Sequence, residues 1–256
     1  MRLSEVEQFS IDNLWNGLYR TVKESNSVEE AAQCVVNACF EEYKESTVLV
    51  RLFITIPYGD LPEHNRQFVS DLAQKMGKHA ELRDQTPVLS LMGTRGVEPG
   101  WNDWRSSQGH QGIPMISKES VQAFPMISQL LKDLGLGLEW LSRDNGNSLS
   151  EPRGHAGGVF LVPDAATSTD SLGRHIIPSQ DFVEKYGVKT VFGNGVRFSA
   201  QNNDFLATIF FTRQALDKST ARRFDSLLYL FKTVTNELVD KGRWYSEAQP
   251  LGTVRV

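Results

Sequence analysis

One segment concentrates the side chains that could recognise a ligand. Residues 100–115 read GWNDWRSSQGHQGIPM, a stretch without periodicity that is rich in Trp, Arg, His and Gly. Two indole rings supply apolar walls, and a guanidinium, a carboxylate and an imidazole supply the few polar groups that a small-molecule site needs. The same side chains would also anchor a long loop, with the rings in the core and the charged groups capping backbone. The candidate ligand-binding residues of this segment are Trp101, Asp103, Trp104, Arg105 and His110.

Arg51 is a further candidate ligand-binding residue. It interrupts residues 47–57, TVLVRLFITIP, whose β-branched and apolar side chains predict a central strand covered on both faces. A buried guanidinium needs partners for its five N–H donors. An anionic ligand would provide them, as would backbone carbonyls or a protein carboxylate such as Asp181 or Glu184. Pairing inside the protein is the more common solution for a buried charge.

The histidines give no support for a metal site or for catalysis. His64, His79, His110, His155 and His175 are scattered, and none stands at a short metal-ligand spacing from another His or from a Cys. A general base needs an orienting carboxylate and a neighbouring nucleophile, and the spacing shows neither. We therefore expect a binding protein with no metal and no catalytic residues, and not an enzyme.

Two other patterns are assigned to packing. Cys34 and Cys39 lie five residues apart on a predicted helix, too far around it for easy bridging, and are expected to be buried reduced thiols. Gly193-Asn194-Gly195 lacks the Lys-Ser/Thr of a phosphate-binding loop and falls within a strand pattern. It therefore predicts a close backbone approach or a bulge.

Composition and charge exclude several classes of partner. The chain has 256 residues, 40% of them hydrophobic, and Lys+Arg 27 against Asp+Glu 31 gives a net charge of -4 without a basic stripe. Nucleic acid is therefore not an expected partner. No apolar run approaches the roughly 20 residues that span a bilayer, and the polar, amphipathic start differs from a signal peptide. We expect a cytoplasmic protein without a membrane partner.

The elements that position these residues follow from hydrophobic periodicity. Helices are predicted at 4–24, from the cap Ser27 to about 45, at 125–134 and at 221–241. A hairpin at 200–203 joins the last two of the predicted strands and indicates an antiparallel sheet. The strands are predicted at 47–57, 87–96, 136–141, 158–162, 189–199 and 204–213.

Five stretches resemble a GAF-like sensor region of bacterial sensor histidine kinases and related signalling proteins. They are 51–62 (RLFITIPYGDLP), 101–115 (WNDWRSSQGHQGIPM), 124–135 (FPMISQLLKDLG), 159–165 (VFLVPDA) and 177–195 (IPSQDFVEKYGVKTVFGNG). The resemblance implies a signalling role and an α/β (α+β) fold, with a GAF/PAS-like central antiparallel sheet of about six strands flanked by N- and C-terminal helices. It assigns no ligand and no cofactor. Asn194 stands where the family tends to have an aromatic residue.

The predicted organisation is N-terminal helices at 1–45, a GAF-like sensory domain at 46–242 that includes its terminal helix, and a tail at 243–256. The apolar stripes of the terminal helices are wide, which favours a homodimer over packing on the sheet alone. The predicted dimer-interface residues are Leu14, Leu18, Phe224, Leu227, Phe231 and Val234.

Two functional hypotheses follow. The first is a ligand-responsive domain that binds a small molecule between the sheet and the loop from Trp101 to His110. Because no output module is recognisable, such a domain would act through a signalling protein in trans. The second is a ligand-free adaptor with a filled interior beside the loop and an exposed apolar patch on a terminal helix.

Overall fold

A six-stranded antiparallel sheet forms the centre of the molecule. The computed structural model describes residues 1–105, 107, 109–136, 138, 157–197 and 205–246. The strand order is β3-β2-β1-β6-β5-β4, and every neighbouring pair is antiparallel. The predicted fold class is confirmed by this pairing. The strands are β1 (Thr47–Pro57), β2 (Pro87–Gly96), β3 (Gly112–Pro114), β4 (Gly157–Val162), β5 (Thr190–Arg197) and β6 (Phe205–Thr212).

Helices flank the sheet, and local capping explains where several of them begin. Ser27 Oγ accepts a hydrogen bond from Glu30 N at 3.1 Å, the predicted cap of the second helix. Pro125 occupies a first helical position, where its missing N–H costs nothing. The α-helices of the described residues are α1 (Gln8–Lys23), α2 (Val28–Glu42), α3 (Glu63–Lys75), α4 (Lys118–Gln122), α5 (Pro125–Asp133), α6 (Gln180–Tyr186), α7 (Lys218–Arg222) and α8 (Asp225–Asp240).

The two faces of the sheet carry separate cores. Along β1, Val50 and Leu52 belong to the core under α1, α2 and α8, which we call the helix face. The alternate residues Leu49 and Phe53 belong to the core under α4, α5 and α6, which we call the loop face. Arg51 follows the same alternation and therefore lies on the loop face.

Two predictions about the sheet need correction. The segment 100–115, predicted to contain no strand, contributes β3, which pairs with β2. Only three residues pair, and two of them are Gly112 and Pro114, so no alternation was available to indicate a strand. Of the predicted strand 136–141, Leu136 and Leu138 are described and neither is in a strand. The rest of that range and the predicted hairpin at 200–203 lie outside the described residues.

Both predicted terminal helices are interrupted. A 3-10 turn at Leu3–Glu5 precedes α1, and α7 ends before α8 begins. The described part of the predicted tail, residues 243–246, is held against the start of α2. Val28 N donates to Arg243 O and Glu29 N donates to Trp244 O, each at 2.9 Å. We call residues 243–246 the C-terminal strap.

Three of the predicted dimer-interface residues are in fact core residues of the single chain. Phe224 and Leu227 are 1% exposed and Phe231 is 0% exposed. Since α8 contacts β5 and β6 as well as α1 and α2, its wide apolar stripe is already used within one chain. The remaining three predicted residues, Leu14, Leu18 and Val234, are half-buried.

The Gly193-Asn194-Gly195 segment packs as predicted. A Cβ at Gly193 would lie 2.3 Å from Thr208 O on the neighbouring strand, so the backbones approach too closely for a side chain. Asn194 is fully buried on the helix face and donates from Nδ2 to Ala221 O at 2.9 Å and to Asp225 Oδ1 at 2.6 Å. The residue that departs from the family pattern therefore fastens α7 and α8 to the sheet.

Candidate functional site

The candidate site is formed by the chain segment that leads from β2 back to β3. It lies beside the part of β2 that β3 leaves unpaired. β3 pairs with β2 only along residues 88–90, and beyond them Leu91 N donates to Gln111 O at 2.9 Å. The segment runs from Trp101 to Gln111, and its residues 106 and 108 lie outside the described part of the chain. We call its described residues the site loop.

Trp101 is an anchor at the start of the site loop. Its ring packs edge-on against Phe182 and Tyr186 of α6, with ring centroids 5.6 and 4.9 Å away. A Cβ at Gly96 would lie 2.7 Å from the same ring, so the glycine of β2 makes room for the indole. This tryptophan holds the loop to α6, which is the packing role that the sequence left open.

Trp104 and Arg105 are both fastened to one buried carboxylate, Glu29 of α2. Trp104 is 3% exposed, and its Nε1 donates to Glu29 Oε1 at 2.6 Å. Arg105 Nη2 lies 2.8 Å from the same oxygen, and its guanidinium lies over the Trp104 ring at 4.5 Å. Asp103 Oδ1 accepts from Arg105 N at 2.9 Å and so caps the loop backbone.

The other oxygen of Glu29 holds the C-terminal strap. Glu29 Oε2 accepts from Ser246 N at 3.2 Å. Tyr245 of the strap packs on Trp104 at 5.2 Å and shares a 2.7 Å hydrogen bond with Ser90 Oγ on β2. Burial raises the pKa of Tyr245, which therefore stays a neutral phenol. One carboxylate in the first turn of α2 thus joins the site loop to the strap.

Glu29 is a functional candidate that sequence reasoning missed. It stands beside Glu30 in the first turn of α2, and an acidic pair there is what any helix start favours. The fold gives the two different surroundings: Glu29 is 6% exposed, whereas Glu30 is exposed and accepts from Asn26 N at 2.8 Å. The sequence marks Glu30 through its capping-box spacing from Ser27, and no pattern marks Glu29.

Arg51 lies beneath the second half of the site loop. Its Nη2 donates to Ser107 Oγ at 3.1 Å, and a Cβ at Gly109 would lie 3.6 and 3.7 Å from Nη1 and Nη2. Gly109 has φ +100, a backbone conformation that favours glycine. The loss of hydration on burial lowers the pKa of the Arg51 guanidinium to about 10, so it is a cation at neutral pH. Asp181 and Glu184, considered above as its partners, are exposed on α6.

Thr94 adds a buried hydroxyl on the strand next to Arg51. It is the cross-strand partner of Arg51 on β2, so the two side chains share the loop face. Thr94 is 0% exposed, and its Oγ1 has no hydrogen-bond partner among the described residues. A buried hydroxyl without a partner costs stability, and one placed beside a buried cation is the donor that a bound anion would use.

His110 stands at the entrance of the same region. Its ring packs edge-on against Phe124 at 5.1 Å and keeps an exposed face. Partial loss of hydration, and then the nearby charge of Arg51, lower the pKa of His110 below its usual 6.5. At neutral pH the imidazole is therefore uncharged.

The six predicted ligand-binding residues thus separate into three groups. Arg51 and His110 lie together under and beside the second half of the site loop. Asp103, Trp104 and Arg105 gather around Glu29, and Trp101 packs on α6. Gln111 links the groups, because its Nε2 donates to Arg105 O at 3.2 Å and to Ser107 O at 3.3 Å.

A separate groove of about 590 Å³ lies between α5 and residues 170–174. Its volume falls in the range of small-molecule sites. None of the six predicted ligand-binding residues lines it. Its charged lining residues are Lys118, Lys132, Asp170 and Arg174, and Arg174 is already paired with Asp170 at 2.7 Å.

Metal and thiol chemistry find no site in the described part of the chain. No group of three or more His, Cys, Asp or Glu residues there could hold a metal ion. His155 lies outside it. Cys39 is buried, which raises the pKa of its thiol to about 12, and burial likewise raises the pKa of Cys34.

None of the helices within the described ranges combines the length and apolarity needed to cross a membrane.

Solved structures similar to this chain include GAF domains. The phycoerythrobilin-bound GAF domain from a cyanobacterial phytochrome shares 9% identity and a TM-score of 0.46, over 93% of this chain and 98% of that chain. The phycocyanobilin-bound GAF domain from a cyanobacterial phytochrome gives 9% and 0.47 over the same shares. The GAF domain from Acinetobacter phosphoenolpyruvate-protein phosphotransferase gives 11% and 0.44, over 91% and 96%.

The GAF-like resemblance read from the sequence agrees with the descriptions of these neighbours. At these identities and TM-scores it says nothing about the ligand, so the function depends on the site's own residues. No family model matches the chain, and no curated protein matches its sequence.

Proposed function

We propose that this chain is a ligand-responsive sensory domain that binds a small anion at Arg51 and acts on a partner protein through its C-terminal strap. The observation that carries the proposal is the pairing of Arg51 with Thr94 on the loop face. A desolvated cation and a buried hydroxyl without a described partner stand side by side on adjacent strands.

The donor set suits a carboxylate or a phosphate group. Arg51 offers planar N–H groups that match two oxygens of such an anion, and Thr94 Oγ1 offers an O–H. Access is through the second half of the site loop, since Gly109 and His110 are exposed and Arg51 keeps part of its side chain open to solvent. An anion entering there would replace Ser107 Oγ as the acceptor for Arg51 Nη2.

The contacts around the loop supply a route for the signal. Release of Ser107 would disturb Gln111, which holds the backbone of both Ser107 and Arg105. Arg105 is paired with Glu29, and Glu29 accepts from Ser246 in the strap. The ends of this route are Arg51 on the sheet and the strap at the surface, where a partner would meet it.

The proposal includes a homodimer that acts on a signalling protein in trans in the cytoplasm. It names no cofactor and no catalytic residue. Proteins of this kind pass on a change of conformation, and the change needs only a ligand whose affinity differs between two states of the loop.

Binding of small anions to the purified chain tests the proposal. Inorganic phosphate and a panel of short mono- and dicarboxylates are titrated while the unfolding temperature and the heat of binding are followed. We expect at least one probe to raise the unfolding temperature of the wild type. Arg51→Met should lose at least ten-fold in affinity, and Arg51→Lys should keep part of it because the charge remains.

Arg95→Met is the matched control. Arg95 is an arginine on β2 that pairs with Glu41 at 3.1 Å, away from the site loop. Its replacement should leave the affinity unchanged. Equal affinity in Arg51→Met and the wild type, or no binding by any probe in the panel, would overturn the proposal.

An adaptor without a ligand is the second candidate. It is favoured by the packing of Trp101 and Trp104, which serve as anchors and fill the space beside the loop. In that case Arg51 would only fasten the loop to the sheet. Arg51→Met would then lower stability, and no anion in the panel would bind the wild type or the variant. The same titration distinguishes this pattern from ligand binding.

A further inference from the structure

The outer side of α1 is an exposed face with a protruding aromatic ring. Phe9 is 71% exposed, and Asn13, Asn16, Gly17 and Arg20 follow it along the helix and are all exposed. Their spacing of three and four residues places them on one side of the helix. The opposite side, with Ile11 and Trp15, is buried against the rest of the chain.

A groove lies beside this face, between α1 and α2. It has a volume of about 660 Å³. Leu14 and Leu18 form its apolar wall, Ala38 of α2 lies opposite, and Gly17 leaves its rim open. A Cβ at Gly17 would meet nothing within 4 Å, so the rim has room for a side chain from another molecule. Leu14 and Leu18 were both predicted to lie at an interface.

We infer that a second copy of this chain docks here through an antiparallel α1–α1 contact on a twofold axis that passes near Asn13. In an antiparallel pair related by a twofold axis, the numbers of two facing residues always add up to the same value. That value is twice the number of the residue at the axis. Phe9 then faces Gly17 of the partner subunit, and Gly17 receives Phe9 of the partner subunit. Each protruding ring enters the groove of the other copy.

The charges of α1 favour this antiparallel arrangement. Glu5 and Glu7 precede the helix and are exposed, whereas Arg20 and Lys23 lie in its last turn. The same axis places Glu7 near Arg20 of the partner subunit, and symmetry repeats the contact. Among the described residues Arg20 is paired with Glu24, at 2.9 Å, and both side chains are mostly exposed. Such a surface pair is weak enough to exchange. A parallel pair would set like charges against each other.

This inference rests on the homodimer of the proposed function and does not involve the anion. Its failure and the failure of ligand binding are distinguishable, because the molar mass is measured without any probe. Light scattering coupled to size exclusion, across a concentration series, gives that mass for the wild type and its variants.

We expect the wild-type mass to rise toward twice the chain mass of 28.8 kDa as concentration increases. Phe9→Glu should stay monomeric throughout the series. Because Phe9 is exposed, its replacement should leave the circular dichroism unchanged, and the unfolding midpoint should equal that of the wild type at concentrations where the wild type is also monomeric. Leu172→Glu is the matched control, since Leu172 is 74% exposed but lies in the groove beside α5 on the loop face, whereas α1 packs on the helix face, and it should dimerise like the wild type.

A charge exchange gives the sharper test. Glu7→Arg and Arg20→Glu should each weaken the dimer at least several-fold, and the double variant should recover most of the loss because opposite charges face each other again. A wild type that stays monomeric at every concentration would overturn the inference. So would a Phe9→Glu variant that dimerises normally, or a double variant as weak as the two single ones combined.

Discussion

The two halves of the site loop are held in very different ways. In the first half, Trp104 and Arg105 share one buried carboxylate, with donor-acceptor distances of 2.6 and 2.8 Å. In the second half, Arg51 binds the hydroxyl of Ser107 at 3.1 Å, and the next described residues, Gly109 and His110, are exposed. In the first half a buried carboxylate meets a cation, whereas Arg51 meets a neutral hydroxyl at Ser107, so we expect the first half to be the more firmly held.

The difference indicates that the two halves of the site loop have different roles. A loop that responds to a ligand needs a part of low local stability, and it also needs a fixed part that passes the displacement on. Glu29 provides the fixed part and is itself bound to the strap. The second half, where Gly109 and His110 are exposed, is the part that we expect to move.

Removing the Glu29 carboxylate should have the largest effect. Glu29→Ala leaves the Trp104 N–H without its acceptor, Ser246 N unbound, and Arg105 with the longer ion pair to Asp103 at 3.5 Å. We expect a loss of roughly 3 kcal/mol in the free energy of unfolding, since Glu29 is buried while Arg105 is half exposed and partly screened. Urea unfolding followed by circular dichroism measures it.

Glu30→Ala is the control for that prediction. It changes the neighbouring carboxylate of the same helical turn, which is exposed and caps Asn26 N. It should cost no more than about 1 kcal/mol. Equal losses in the two variants would contradict the special role assigned to Glu29, because the helix start alone would then account for both.

Trp104→Phe, in the first half of the site loop, should lower the free energy of unfolding by an intermediate amount. The ring still packs against Tyr245, but the N–H donor to Glu29 is lost. We expect a loss of about 1.5 kcal/mol, the lower end of the range for a hydrogen bond to a charged group. In the double variant with Glu29→Ala the two losses should fall short of their sum, because both remove the same bond. Strict additivity would show that the indole and the carboxylate act independently.

The smallest predicted effect is the pH dependence of the unfolding free energy that comes from His110, in the second half of the site loop. The pKa of His110 is lower in the folded chain than its ordinary 6.5, so the unfolded chain binds the proton first as the pH falls. Stability from this group is therefore present above pH 6.5 and is lost as the pH falls from there through the folded pKa. The difference in unfolding free energy between wild type and His110→Asn should shrink over that window. A constant difference would contradict the prediction.

Periodicity predicted much of the fold and little of the site. Residues 47–57 and 87–96 have many β-branched and apolar side chains, and both strands formed with the predicted bounds. β3 was missed because a three-residue edge strand with Gly112 and Pro114 has too few side chains to show alternation. The width of the α8 stripe was assigned partly to a second chain, because a sequence does not show that sheet and helices of the same chain share it.

The site residues were recognised by type, and their partners were not. Trp104, Arg105 and Arg51 stand out because such side chains are costly to bury without partners. Glu29 lies 75 residues from Trp104 in the sequence, and Thr94 and Ser107 lie 43 and 56 residues from Arg51. Only the register of the sheet and the position of α2 bring these pairs together. Long-range contacts of this kind leave no local pattern in a sequence.

Hydrogen exchange of the C-terminal strap tests the central claim most directly, which is that an anion at Arg51 reaches the strap through Glu29. Backbone exchange at residues 243–246 is compared with and without saturating inorganic phosphate, in the wild type and in Arg51→Met. Phosphate should speed exchange at Ser246 in the wild type, because the loop loosens its hold on Glu29, and should have no effect in Arg51→Met. Phosphate that binds the wild type and protects the site loop while exchange at the strap stays unchanged would contradict the account.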